Sequence, residues 1–159
     1  MSNIKVVKIN KENYGKFLEM IHYRITGKAY QEDSERDIVR ENIDYAYILE
    51  NENFYVYSAL INNQMVGYLA AAIIPKADKR VGTMFIDEVW THPGHRGKGV
   101  AKALVNKIME VSNELNIWEA RLTVDIDNEA ARHIYTNAGF VEKECIFGRV
   151  KLNGPKLKK

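Results

Sequence analysis

Apolar and polar residues alternate, or recur every three to four positions, in segments that cover most of the chain. Alternating and β-branched runs predict strands at 4–9, 54–61, 65–74, 83–91 and 118–124, and helical spacing predicts helices at 11–26, 34–49, 97–115 and 128–137. Asn62 and Asn63 tolerate a left-handed backbone, so they predict a tight hairpin between the second and third strands. The stretch from Phe140 to Val150 predicts one or two closing strands.

The order of these elements combines an antiparallel meander with parallel strand–helix–strand crossovers. It predicts an α/β fold in which a mixed, mostly antiparallel sheet is flanked by helices. No repeat or linker interrupts the pattern, so we expect a single domain over residues 1–159, with a basic C-terminal tail at about 151–159.

Composition narrows the class of protein further. The chain has 159 residues, 46% of them hydrophobic and 28% charged, which is typical of a globular domain. Cys145 is the only cysteine, which excludes an intramolecular disulfide and a cysteine-rich zinc site. No apolar run approaches the roughly 18 residues of a membrane span, and the N-terminus lacks a signal-peptide pattern. We therefore expect a soluble, cytoplasmic protein without a membrane partner.

The distribution of charge and the positions of the histidines indicate neither a nucleic-acid partner nor a metal site. The net charge of +2 arises from a local basic tail, which is weak evidence for nucleic acid, so we expect no nucleic-acid partner. His92 and His95 flank a Pro-Gly pair with no carboxylate at metal-ligand spacing; we interpret them as turn residues and expect no metal. Their helical positions predict that His22 and His133 lie at the surface.

The first segment with candidate chemistry runs from Val89 to Leu104 and reads VWTHPGHRGKGVAKAL. A strand ends, a Pro-Gly turn follows, and Arg96-Gly97-Lys98-Gly99 opens a helix. Glycines let a backbone approach a ligand, and the free N–H groups of a helix N-terminus favour an anion. The segment predicts a phosphate or pyrophosphate site, although it matches neither the P-loop nor the dinucleotide fingerprint.

The second segment, residues 128–140, reads NEAARHIYTNAGF, a short helix that Asn128 can cap and Gly139 can end. Together, the two segments and the order of elements resemble the GNAT superfamily of N-acetyltransferases. The resemblance implies a GNAT-like fold and acetyl-CoA as co-substrate, with no metal. It covers nearly the whole chain and is informative about fold and co-substrate, less so about the acceptor.

The resemblance also implies site residues. The acetyl-CoA pyrophosphate would lie on the backbone N–H groups of the glycine-rich loop, the pantetheine arm would pair with the end of the preceding strand, and the Asn128 side chain would contact the cofactor. The implied cofactor-binding residues are Val89, Trp90, Thr91, Arg96, Gly97, Lys98, Gly99, Val100, Ala101 and Asn128.

Two catalytic roles follow from the same resemblance. Tyr135 would donate a proton to the departing thiolate, and Glu88 would deprotonate the amine, often through water. Strand alternation places Ile86, Glu88 and Trp90 on one face and Asp87 on the other, so Asp87 or a water chain without a single base stays open.

The predicted function is acetyl transfer from acetyl-CoA to a primary amine by direct attack on the thioester. The acceptor class stays open between small amines, amino acids, and protein N-termini or lysines. Tyr30 and its neighbours, 26–35, are candidate acceptor contacts, and Glu32, Asp33 and Glu35 would suit a cation. The alternatives are a non-catalytic acyl-CoA-binding sensor or partner subunit and a transferase for longer acyl groups; a homodimer through residues 147–152 also stays open.

Overall fold

A computed structural model of the chain describes residues 3–32 and 37–152. Within these ranges the strands are β1 (Lys5–Lys8), β2 (Phe54–Ile61), β3 (Gln64–Pro75), β4 (Gly82–Thr91) and β5 (Glu119–Leu122), and the α-helices are α1 (Tyr14–Thr26), α2 (Ile38–Asn42), α3 (Val100–Glu114) and α4 (Glu129–Asn137). The segments Ile43–Glu50 and Pro93–His95 are 3₁₀ helices. None of the helices in the described ranges is long and apolar enough to cross a lipid bilayer.

The strands form one sheet in the order β1-β2-β3-β4-β5. Neighbouring strands pair antiparallel from β1 to β4, whereas β5 runs parallel to β4 and is reached through α3. Asn62 and Asn63 have φ of 50° and 62°, and their left-handed turn places Ile61 opposite Gln64. The predicted mixed, mostly antiparallel sheet with flanking helices and the predicted hairpin are therefore confirmed.

The two faces of the sheet carry separate hydrophobic clusters. Successive residues of β3 point to opposite faces: Leu69 packs with α3, and Tyr68 packs with α1. We call these the α3 face and the α1 face. The α3-face cluster includes Ile61, Val66, Leu69, Met84, Ile86, Val100, Leu104, Val105 and Ile108, and the α1-face cluster includes Ile9, Tyr14, Phe17, Leu18, Met20, Val56 and Tyr68.

The start of α3 packs directly on β3 because Gly67 has no side chain. A Cβ at Gly67 would lie 2.7 Å from the Trp90 carbonyl oxygen and 2.7 Å from Val100 Cγ1, closer than real Cβ atoms approach other atoms. Val100 is the first residue of α3 and is 1% exposed. This contact fixes the N-terminus of α3 beside the end of β4.

Three predicted elements differ from the structure. The predicted helix at 34–49 begins outside the described residues and continues as the short α2 and a 3₁₀ helix, and the predicted strand at 118–124 is shortened to β5. The closing strands predicted from Phe140 to Val150 are wrong, because residues 141–152 have no strand. Phe140 still packs on the α3-face cluster, but Ile146 is fully exposed. Residues that favour strands therefore do not form one here, because the segment has no face buried against the rest of the described chain. Most of the predicted basic tail, residues 153–159, lies outside the described residues.

Candidate functional site

Two glycines shape the loop between β4 and α3. Gly97 and Gly99 have φ of 73° and 85°, in the left-handed region that L side chains rarely adopt. A Cβ added at Gly97 would meet no atom within 4 Å, and one at Gly99 would meet Ile4 Cδ1 at 3.8 Å. The backbone path therefore requires these glycines, and the loop surface is open to a ligand.

The loop presents a series of free backbone N–H groups. The Arg96 N–H donates to the Pro93 carbonyl at 3.3 Å, and the Ala103 N–H donates to the Gly99 carbonyl at 2.9 Å. Between them, the N–H groups of residues 97–102 donate to no backbone carbonyl within the described part of the chain. These groups lie at the positive end of the α3 dipole, so the site favours an anion.

The two cations of the loop differ in their availability. The Lys98 ammonium group donates to the Gly94 carbonyl at 2.9 Å, which ties its charge back across the turn. Arg96 is exposed, and because its own N–H is used within the turn, its contribution to binding an anion would come from the guanidinium group.

One edge of β4 is free over the second half of the strand. Pairing between β4 and β5 ends where Ile86 lies opposite Leu122, after which the chain leaves β5 for the turn before α4. Beyond that point, no described strand pairs with this edge of β4. The peptide groups of Val89, Trp90 and Thr91 can therefore pair with an extended ligand that also reaches the glycine-rich loop.

A β-bulge changes which carboxylate faces which side of the sheet. Glu88 pairs with Ala70, but Ile86 pairs with the next residue, Ala71, so Asp87 is the extra residue. The prediction that Ile86 and Glu88 share a face is therefore wrong. Ile86 is buried on the α3 face, Glu88 points to the α1 face, and Asp87 is exposed at the bulge.

The Glu88 carboxylate has two partners on the α1 face. The Arg24 guanidinium donates to both carboxylate oxygens at 3.1–3.2 Å, and the Tyr68 hydroxyl donates to Oε2 at 2.8 Å. The guanidinium carbon also lies 5.4 Å from the centroid of the Tyr68 ring. The side chains of Arg24 and Glu88 are 35% and 42% exposed, so this ion pair is accessible to solvent.

Aromatic rings connect α1 to the glycine-rich loop. The Tyr23 ring stacks on His92 with centroids 4.3 Å apart, and His92 packs edge-on against Trp90 at 6.1 Å. His92 Nδ1 accepts a hydrogen bond from the Gly94 N–H at 3.1 Å, which holds the turn before the loop. These contacts make His92 a packing residue of the turn, where the sequence placed it.

The second histidine of the turn, His95, packs edge-on against His92 with ring centroids 5.4 Å apart. Burial, reinforced by the Lys98 charge, lowers the pKa of His95. The ring is therefore kept neutral at physiological pH, and it too lies at the turn as predicted.

Arg24, Tyr68 and Tyr23 contact the candidate site residues or the turn before the loop, and sequence reasoning did not single them out. The helical spacing of α1 does indicate the position of Arg24. Arg24 lies seven residues after Phe17 and three after Ile21, so it is on the helix face that packs on the sheet.

His22 is a further correction. The sequence predicts it at the surface, but it is 2% exposed, with its ring edge-on to Tyr30 at 5.6 Å. The chain that follows α1 therefore covers this side of the helix.

The helix α4 follows β5 in the chain, begins directly after Asn128 and carries Tyr135. The Asn128 side chain accepts a hydrogen bond from the Ala131 N–H at 3.2 Å, which confirms the predicted N-cap. Tyr135 packs on Phe140 with ring centroids 6.0 Å apart and contacts the α3-face cluster. Burial raises the pKa of the Tyr135 phenol, so the phenol is kept in its protonated form at neutral pH.

A groove of about 760 Å³ runs along the exposed flank of α1. Its lining includes Tyr23, Tyr30 and His92, and the charged residues among the lining are Lys16 and Glu19. Tyr30, a predicted acceptor contact, thus lies at a groove on the α1 side. Among the predicted acidic contacts, Glu32 is exposed, whereas Asp33 and Glu35 lie outside the described residues.

Comparisons of the sequence with known proteins agree on one family. A sequence model described as the acetyltransferase (GNAT) family matches residues 17–140, a stretch that includes both motifs. An uncharacterized N-acetyltransferase of Methanocaldococcus jannaschii is 27% identical over 148 residues, which cover 91% of this chain and 63% of that protein. The spermidine N(1)-acetyltransferase of Vibrio cholerae is 36% identical over 63 residues, which cover 39% of this chain and 36% of that protein. The chain therefore spans less than two thirds of the length of these relatives.

Solved structures show the same fold at low sequence identity. An aminoglycoside acetyltransferase from an uncultured soil metagenomic sample, in complex with trehalose, superposes with a TM-score of 0.76 at 18% identity, covering 94% of this chain and 97% of that one. A ribosomal-protein-alanine N-acetyltransferase from Brucella melitensis gives a TM-score of 0.69 at 17% identity, covering 93% and 99%.

Proposed function

The chain belongs to the GNAT family of acetyltransferases, and on this basis we propose that it transfers the acetyl group of acetyl-CoA to a primary amine by direct attack on the thioester. One observation carries the proposal: the unpaired edge of β4 leads directly into a loop with free N–H groups at the start of α3. An extended arm that ends in a pyrophosphate is the ligand that this combination fits.

The residues present suit acetyl-CoA along its length. Residues 97–101 would bind the pyrophosphate through their N–H groups, with the exposed Arg96 guanidinium adding positive charge. Val89, Trp90 and Thr91 would pair with the pantetheine arm. The Asn128 amide nitrogen would be free to donate a hydrogen bond to the cofactor, because the N-cap uses the amide oxygen. When bound, acetyl-CoA supplies the thioester.

The proposed reaction needs one proton acceptor and one proton donor. The amine nitrogen forms a bond to the thioester carbonyl carbon, and the carbon–sulfur bond breaks with its electron pair on sulfur. Glu88 takes the proton that the amine loses, directly or through water, and the Tyr135 phenol gives a proton to sulfur. The products are the acetylated amine and coenzyme A. Glu88 and Tyr135 lie on opposite faces of the sheet, so each would act on the thioester from its own side.

Glu88 is a better candidate for the base than Asp87, because it points to the α1 face whereas Asp87 lies exposed at the bulge. Glu88→Gln should lower kcat/KM by about 10²-fold, the lower end of the range for general acid–base groups. The matched variant Asp87→Asn should change it less than about twofold, the expectation for a surface residue that takes no part in proton transfer. Steady-state kinetics on both variants checks this prediction. An equal loss of kcat/KM in the two variants would contradict the role of Glu88 and indicate that water accepts the proton.

The function as a whole is tested by calorimetric titration with acetyl-CoA and with S-acetylpantetheine, which lacks the pyrophosphate. We expect acetyl-CoA to bind at least about 10²-fold more tightly, since several charge-assisted hydrogen bonds to the phosphates are missing in the shorter compound. Free thiol released on addition of amines then distinguishes catalysis from binding alone. Absence of acetyl-CoA binding at millimolar concentration would overturn the proposal.

A further inference from the structure

An internal ion pair lies on the α1 face of the sheet, at the carboxylate proposed as the base. Arg24 reaches Glu88 across 64 positions of sequence and contacts both of its oxygens at 3.1–3.2 Å. This planar, two-nitrogen contact is the geometry with which arginine binds any carboxylate. Arg24 therefore offers a carboxylate site that is filled by the protein's own Glu88.

We propose that Arg24 determines acceptor specificity by binding a carboxylate of the acceptor, so that the substrate is an amine that also carries a carboxylate, such as an amino acid or a diamino acid. The inference rests on the proposed acetyl transfer. The acceptor's carboxylate would replace Glu88 at Arg24, and its ammonium group would take the place of Arg24 beside Glu88. Each member of the internal pair thus exchanges one partner for another of the same charge.

Exposure makes this exchange inexpensive. The two side chains are 35% and 42% exposed, and ion pairs that are open to solvent contribute little to stability. Tyr68 contacts both members, since its hydroxyl bonds to Glu88 at 2.8 Å while its ring lies beneath the guanidinium. Because Tyr68 is 2% exposed, it would hold Glu88 and Arg24 in place after the pair opens.

Charge balance favours a zwitterionic acceptor over a polycation. A polycation that approached Glu88 would place positive charge beside Arg24 and leave the guanidinium without its partner. Among the described residues, the charged side chains that line the neighbouring groove along α1 are one cation, Lys16, and one anion, Glu19. Exchange would also free Glu88 from Arg24, so that the carboxylate can accept a proton from the bound amine.

The test compares substrates that differ by one carboxylate. Purified protein and acetyl-CoA are supplied with lysine or cadaverine, ornithine or putrescine, and 2,4-diaminobutyrate or 1,3-diaminopropane, and thiol release gives kcat/KM for each. We expect at least one amino acid to exceed its diamine by about 10-fold or more, the effect of one charge-assisted contact. The difference should appear in KM, since the contact binds the acceptor, and also in kcat, since the exchange frees Glu88 to accept the proton.

Variants separate specificity from a structural role. Arg24→Gln should reduce the ratio between amino acid and diamine to about 1, and Arg24→Lys, which keeps the charge without the planar fork, should restore part of it. The matched control is Arg132→Gln on α4, which removes an ion pair with Glu142 of similar exposure, 35% and 48%, together with a hydrogen bond to the Ile126 carbonyl. This control should leave the ratio unchanged.

Three results would overturn the inference. The first is a kcat/KM for the diamine that equals or exceeds that for the amino acid in every pair, and the second is an equal loss on both members of each pair in Arg24→Gln. The third is the absence of acetylation of all six compounds. In that third case, tight binding of acetyl-CoA in the calorimetric titration would leave the proposed function standing with a different acceptor class.

Discussion

Replacing Gly99 by Trp is expected to abolish acetyl-CoA binding while the protein stays folded. Gly99 has φ of 85° and immediately precedes α3, and its N–H is one of the free donors of the loop. Trp resists this left-handed conformation, at about 1–2 kcal/mol per residue. Its side chain must either cover the loop or move the backbone away from φ of 85°. Either change removes the array of N–H groups, and we expect calorimetry to show a loss of at least about 10²-fold in affinity.

The control for this variant carries the same backbone strain at a distance from the loop. Gly27 ends α1 with φ of 71°, and a Cβ there would meet no atom within 4 Å. Gly27→Trp should therefore cost similar stability in thermal unfolding yet bind acetyl-CoA like the parent protein. If Gly99→Trp, folded by circular dichroism, binds acetyl-CoA with unchanged affinity, the loop does not hold the pyrophosphate.

The features that the sequence predicted well are those decided by local chemistry. Gly97 and Gly99 adopt left-handed backbone because few other residues can, and Asn128 caps α4 because its side chain reaches the N–H three residues ahead. Asn62 and Asn63 form their turn for the same kind of reason. Such signals depend on neighbours within a few positions, so they can be read without knowing what the segment packs against.

The features that were missed depend on pairing between distant segments. The bulge at Asp87 exists only in the register of β4 against β3, and it reverses the face on which Glu88 lies. The contact between Arg24 and Glu88 likewise joins a helix to a strand 64 positions away. Spacing within β4 alone cannot show either feature, which is why simple alternation misplaced Ile86 relative to Glu88.

Whether a residue is buried likewise depends on segments that are distant in the sequence. His22 lies on α1, where a helix that packs only on a sheet would expose it, but the chain after α1 returns and places Tyr30 against its ring. Conversely, the strand-like residues after Phe140 are left exposed because no described segment covers them. Residue type predicts what a segment can form, whereas its neighbours decide what it does form.

The second large effect is expected for Tyr135→Phe, which should lower kcat by about 10²–10⁴-fold, the contribution of a positioned proton donor. Burial raises the pKa of this phenol above its ordinary value of about 10, so the hydroxyl is protonated before the reaction, as a proton donor must be. Phenylalanine keeps the packing on Phe140, where the rings lie 6.0 Å apart, and it removes the hydroxyl alone. Affinity for acetyl-CoA, measured by calorimetry, should therefore change little.

A control substitution at a second tyrosine shows whether the loss of kcat is specific to the Tyr135 hydroxyl. Tyr47 is 61% exposed in the 3₁₀ helix that follows α2, so Tyr47→Phe should leave kcat as it is in the parent protein. Rapid-quench measurement of a single turnover reports the chemical step directly and excludes an effect on product release. Unchanged single-turnover rates in Tyr135→Phe would show that sulfur takes its proton from water, and the half-buried Tyr135 ring would then serve the packing of α4 on the α3 face.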